Sequence, residues 1–143
     1  MIEGIKSDSV EAWWSLVEEY LIAALEHSLG EYSIEDIKEA CKSKDMQLWA
    51  EIGKEVEGAL VTKINNYPQK KVLVMMLAGG NIFADNNFKI IEESEELLTR
   101  FAKEKECTYI QLFGRRGWAK KMNKLQYKHN RVVLTKEIIV KWR

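Results

Sequence analysis

At 143 residues, with 46% hydrophobic side chains and a single proline, the chain suits one domain spanning 1–143 with a proper core, and argues against two domains or a disordered tail. No apolar run approaches the roughly 18 residues that span a bilayer, and the start "MIEGIKSDSV" lacks the basic and apolar regions of a secretion signal. A cytoplasmic protein without a membrane partner is therefore expected, and with Lys+Arg and Asp+Glu both at 22 it is neutral overall.

Residues 10–28 place Val10, Trp13, Trp14, Val17, Tyr20, Leu21, Ala24 and Leu25 at helical spacing, with Glu11, Glu18, Glu19 and Glu26 mainly opposite. This pattern predicts a long amphipathic helix, whose paired tryptophans are more simply core residues than a binding surface. After "GEY", Ser33 with Asp36 three positions on is an apt N-cap for a shorter helix that sets Ile34, Ile37 and Cys41 on one face. Cys41 and Cys107 have no C-x-x-C or histidine-paired spacing and read as buried free thiols.

From Met46 the period changes to two: Met46, Leu48, Ala50 and Ile52 alternate with Gln47, Trp49 and Glu51 before the turn "GKE". A hairpin follows, with "VEGALVTKINNY" as its second arm and "NNYP" as the next turn. "KVLVMMLAGG" is a continuous apolar run, as a central strand covered on both faces requires. Phe88, Ile91, Leu97, Leu98, Phe101 and Ala102 define a helix to about Glu106, with glutamates at 92, 93, 95 and 96 early and Arg100, Lys103 and Lys105 late, as the helix dipole favours. "CTYIQLF" reads as a short strand, and "GWAKKMNKL" as a short helix with Trp118, Met122 and Leu125 on one face. "RVVLTKEIIVKW" reads as a final strand or strand pair. The order is α-α-β-β-β-α-β-α-β, a mixed α+β sheet.

That order, together with short motifs, resembles the GNAT superfamily of N-acetyltransferases. "EIGKEVEGALV", with Gly58, is similar to the strand pair that opens the family's sheet. The stretch from Phe88 to Leu112 resembles its helix and following strand, and "KKMNKLQYK" its short late helix. The likeness covers about residues 46–134. "GRRGWAKKMNKLQY" is similar, more narrowly, to small GNAT-like proteins of tailed bacteriophages.

The resemblance implies a central, mostly antiparallel sheet with a splayed strand pair, flanked by helices, and acetyl-CoA in the V-shaped opening between the fourth and fifth strands. Met75 and Leu77 would offer backbone groups, Gly79, Gly80, Asn81, Ile82 and Phe83 the phosphate loop, and Arg115 and Arg116 the mouth. Glu51 is the candidate base by position, with Glu57 beside it, although hairpin glutamates are commonly solvated. The chain also departs from the family's pattern. "LAGGNIFADNNF" stands where an Arg/Gln-x-x-Gly-x-Gly/Ala turn cradles phosphate at a helix N-terminus, and Asp85 adds an anion there. Met122 stands where a tyrosine protonates the leaving thiolate, Gln126 where a glycine precedes the aromatic, and Arg115 where an asparagine is found.

Residues 1–106 hold twelve Lys+Arg against twenty-one Asp+Glu. Between Cys107 and Lys136 there is no acid, while Arg115, Arg116, Lys120, Lys121, Lys124, Lys128, Arg131 and Lys136 are all basic. CoA phosphates, a nucleic-acid backbone or an acidic protein surface fit such a segment, as does a solvated helix face. An acidic protein is favoured over nucleic acid, with Arg115, Arg116, Lys120 and Lys124 as the docking face. No Ser/His/Asp set, metal-ligand cluster or P-loop occurs. His27 and His129 suit capping and surface roles, and Asp85, Asn86 and Asn87 a turn and N-cap. The expectation is a phage-type, GNAT-like protein that uses the fold non-catalytically for protein contacts, in the host cytoplasm or the virion. The alternative is an acetyl-CoA-dependent N-acetyltransferase acting on an amine of a small molecule or protein.

Overall fold

The structure, a computed structural model, describes residues 1–80, 88–113 and 122–139. In chain order the elements are β1 (Ile2–Ile5), a 3-10 turn (Ser7–Ser9), α1 (Val10–Leu25), α2 (Ile34–Lys42), β2 (Gln47–Ile52), β3 (Val56–Asn66), β4 (Lys71–Gly80), α3 (Phe88–Glu104) and β5 (Tyr109–Leu112). The five strands form one sheet in the order β1-β2-β3-β4-β5, antiparallel throughout except for the parallel pair β4–β5. The mixed α+β class and the mostly antiparallel sheet are as the sequence led us to expect. The chain divides into two compact units, Met1–Phe113 and Gly114–Arg143, and the first holds the whole sheet and the three α-helices.

Within the first unit, the helical spacing read in the sequence becomes packing. Val10, Trp14, Val17 and Leu21 of α1, with Ile37 and Cys41 of α2, bury against Leu48 and Ala50 of β2 and Ala59 and Val61 of β3. Starting α2 is the capping box foreseen at Ser33, whose Oγ accepts from the Asp36 N–H (3.1 Å) while Asp36 accepts from the Ser33 N–H (2.8 Å). The Ser33 backbone bond, followed by its hydroxyl, holds the Asp36 carboxyl below the usual range. On the other face of the sheet, Trp49 meets Phe101 of α3 edge-on, with ring centroids 5.1 Å apart. The indole N–H of Trp49 donates to Thr62 Oγ1 (2.9 Å), and Thr62 donates on to Gln47 (2.8 Å), so the buried polar atoms here are satisfied.

Three expectations change. β1, unforeseen, pairs antiparallel with β2 from Ile2↔Glu51 to Ile5↔Leu48. Helix α1 ends at Leu25 rather than near residue 28, closed by Ser28, whose hydroxyl and N–H both donate to the Leu25 carbonyl (2.7 and 3.0 Å). Residues 131–139, expected as a strand or strand pair, contain no strand and are exposed throughout. Most of the short helix expected over "GWAKKMNKL" lies outside the described residues. Its end does not, for residues 122 and 123 are helical, with Met122 buried and Leu125 half-buried on the expected apolar side.

Candidate functional site

β3 and β4 pair from Asn66↔Lys71 to Gly58↔Gly80, but not evenly. Val61 faces Leu77 and Thr62 faces Met75, so Met76 is an extra residue on β4. Such a bulge bends its strand and increases its twist. β5 pairs with β4 only from Val72↔Tyr109 to Met75↔Leu112. β4 therefore continues over residues 76–80 with no β5 partner, beginning at the residue that forms the bulge. Exposure follows the same boundary: residues 72–75 are buried, 76–79 half-buried, and Gly80 and Phe113 exposed. Two neighbouring strands thus begin parallel, and among the described residues no strand pairs with this edge of β4 beyond Met75. An edge of this kind can pair with an extended, amide-bearing ligand.

That edge is held from behind by α1. A Cβ on Gly79 would collide with the Tyr20 carbonyl oxygen, and one on Gly80 (φ +80°) with the Glu57 carbonyl oxygen and the Tyr20 ring. Only glycine lets helix and strand approach this closely, and the positive φ of Gly80 favours glycine independently. Tyr20 completes the bracket, its hydroxyl donating to the Val56 carbonyl at the start of β3 (2.9 Å). Burial, with Glu19, Glu55 and Glu57 nearby, pushes the Tyr20 hydroxyl pKa up. The side chains of Met76 and Leu77 pack on the α1–α2 core, fixing this end of β4.

The anticipated residues fall as follows. Met75 lies in the last β5-paired position and Leu77 on the free stretch. Gly79 and Gly80 belong to β4 itself, and packing against α1 and β3 accounts for their missing side chains. Asn81, Ile82 and Phe83, like Arg115, Arg116 and Lys120, lie outside the described residues, whereas Lys124 is described and exposed.

Glu51 sits in the same cross-strand row as Gly58 and Gly80, two strand spacings or roughly 10 Å from the end of β4. It is 3% exposed, not solvated as hairpin glutamates commonly are. Its two oxygens accept from the Met1 α-ammonium (3.1 and 3.3 Å), and the neighbouring Glu93 accepts from the Ile2 N–H (2.9 Å). Burial raises the Glu51 pKa. The Met1 ammonium works against that shift, and the charges of Glu93 and Glu57 add to it. Met76 and Tyr20 were not singled out by sequence reasoning for this site. The adjacent glycines at the end of β4 were the only signal that something packs closely there. Among the described residues no group of three or more His, Cys, Asp or Glu could hold a metal ion, and no helix is long and apolar enough to cross a membrane.

No protein-family model matches the sequence, and no curated protein matches it. Solved structures do. A probable acetyltransferase superposes with a TM-score of 0.69 at 10% identity, over 99% of both chains. An aminoglycoside acetyltransferase from an uncultured soil metagenomic sample, in complex with sisomicin, gives 0.62 at 12% identity over 99% of this chain and 96% of that one. A ribosomal-protein-alanine N-acetyltransferase from Brucella melitensis biovar Abortus 2308 gives 0.62 at 10% identity, over 99% of both. The chain has the GNAT-like acetyltransferase fold.

Proposed function

We propose that the protein binds an acyl-CoA, acetyl-CoA first among them, along the free edge of β4, and transfers the acyl group to an amine. The observation that carries this reading is the coincidence at Met76 of the bulge and the end of β5 pairing. A thioester donor of this kind supplies an activated acyl carbon joined to an extended arm with two amides. Residues 76–80 fit that arm through their backbone groups, in the manner of an added strand. An N–H of the same stretch is available to the carbonyl oxygen that gains charge as the amine attacks, the type of electrostatic assistance that contributes most in acyl transfer. Glu51, in the row that ends at Gly80, is the candidate to take the amine's proton, through water. Its raised pKa brings it closer to neutral, where a general base is effective.

The test is isothermal titration with acetyl-CoA, followed by turnover on a panel of polyamines, aminoglycosides and peptide N-termini. A Kd of tens of micromolar is expected, about 6 kcal/mol. Turnover is expected to fall on Glu51→Gln. No heat at millimolar acetyl-CoA overturns the reading.

A second reading, a non-catalytic scaffold for protein contacts in a phage particle or elsewhere, draws on two observations: the Glu51 carboxylate already holds an ammonium, and Met122 stands at the position of the family's acid. Binding without turnover across the panel selects it.

A further inference from the structure

At the β1 edge of the sheet, the Met1 α-ammonium donates to both Glu51 oxygens (3.1 and 3.3 Å) and to the Ile52 carbonyl (3.3 Å), which occupies its three protons. Glu93 of α3 adds a second carboxylate 3.7 Å away and accepts from the Ile2 N–H (2.9 Å). The Ile52 N–H donates back to the Met1 carbonyl (2.7 Å), one residue beyond the Ile2↔Glu51 pair. Glu51 is buried, and among the described residues no other cation lies within salt-bridge distance of it. An ionised carboxylate this deep is tolerated only while a cation partners it. The strand that delivers that cation has little else to hold it: β1 is four residues long, one of them glycine, and buries only the side chains of Ile2 and Ile5. Glu93 and Glu57 add negative charge around Glu51, so they offer no substitute for the ammonium.

We propose that the Met1 α-amine is a switch for this edge: charged, it docks β1 and covers Glu51, and Nα-acylated, it releases both. An acyl-CoA thioester is the class of donor. The amine nitrogen attacks the thioester carbonyl, and the C–N bond of an amide replaces the C–S bond. One proton of the ammonium passes to water and a second to the departing thiolate. The product keeps one N–H and no charge where three donors and a full charge had been. Glu51 is then ionised and buried without its cation, and lifting β1 from β2 relieves this by admitting water to the carboxylate. The switch does not require the chain itself to be catalytic.

The experiment compares the full chain carrying a free α-amine with the same chain acetylated there by N-hydroxysuccinimidyl acetate. The reaction is run at about pH 6.5, where an α-amine reacts ahead of lysines, and mass spectrometry confirms a single acetyl group on Met1. Acetylation is expected to speed exchange of the Ile52 amide and of the β1 amides by about tenfold or more at pH 7, while α1 and β3 keep their rates. The melting temperature is expected to fall by roughly 5 °C. Glu51→Gln needs no cation, so acetylating that variant is expected to change neither readout. A chain with Gly-Gly-Ser ahead of Met1 has an amide in place of the ammonium and is expected to behave as the acetylated one. Unchanged exchange at Ile52 on acetylation overturns the proposal. So does an equal loss in Glu51→Gln, which would trace the effect to the packing of Met1 rather than its charge. Unfolding of the whole chain on acetylation overturns it too, since the amine would then be part of the core.

Discussion

Gly79 is glycine because the backbone of α1 occupies the place of a side chain. Gly79→Ala must push the Tyr20 carbonyl away from β4, and overpacking of this kind costs about 1–3 kcal/mol, read as a lower midpoint in urea unfolding. Tyr20→Phe keeps the packing and loses one hydrogen bond to Val56, for about 0.5–1.5 kcal/mol. Nothing adjacent in sequence to "AGG" announces this contact, since its partner lies on the first helix. The glycines were therefore legible as a close backbone approach, but not as an approach to Tyr20. Glu51 illustrates the same limit, because the period-two pattern places it on a face without saying that β1 and α3 cover it. Burial holds its folded pKa above 4.5, so the stability it contributes is present below that value and is lost as pH rises through the raised folded one. Glu51→Gln, which stays neutral, is expected to melt above wild type at pH 7 and level with it at pH 4. The Cys41 thiol, pushed up to about 12 by burial, stays inert, leaving Cys107 to react first with alkylating agents.

At the scale of elements, the sheet was largely legible and its irregularities were not. The apolar run of β4 announced a covered strand, and the hairpin periods of β2 and β3 placed its neighbours. The bulge left no mark, because Met75, Met76 and Leu77 are all apolar and an extra residue breaks no alternation. β1 was missed because four residues with a glycine among them give too short a pattern. The "RVVLTKEII" segment has strand chemistry without strand pairing, so propensity alone misplaced it. The end of β4–β5 pairing at Met75 carries its own prediction. In hydrogen exchange, the β4 amides directed toward β5 should exchange slowly within 72–75 and fast within 76–80, and acetyl-CoA should slow the second group while leaving the first unchanged. Uniform protection along β4 without ligand would mean that the edge is not free.

For the whole molecule, the asymmetry of charge along the chain is the feature that fold comparison leaves unaddressed. Twenty-one of the twenty-two acids precede Cys107, and the acid-free stretch from there to Lys136 carries eight basic residues, of which Lys124, Lys128, Arg131 and Lys136 are exposed. A neutral protein arranged in this way presents a local positive field to an acidic partner without the non-specific binding of a basic one. Paired guanidiniums such as Arg115 and Arg116 suit bidentate capture of a carboxylate or phosphate, and Lys120 and Lys124 stand four positions apart. Replacing these four with glutamine tests the docking role. Surface changes of this type usually alter stability by about 0.5 kcal/mol or less, so the melting temperature should hold while co-purifying partners are lost and the salt dependence of binding flattens. A partner set and salt sensitivity unchanged from wild type would leave these side chains as a solvated face. A collapse in melting temperature would instead assign the arginines a structural role.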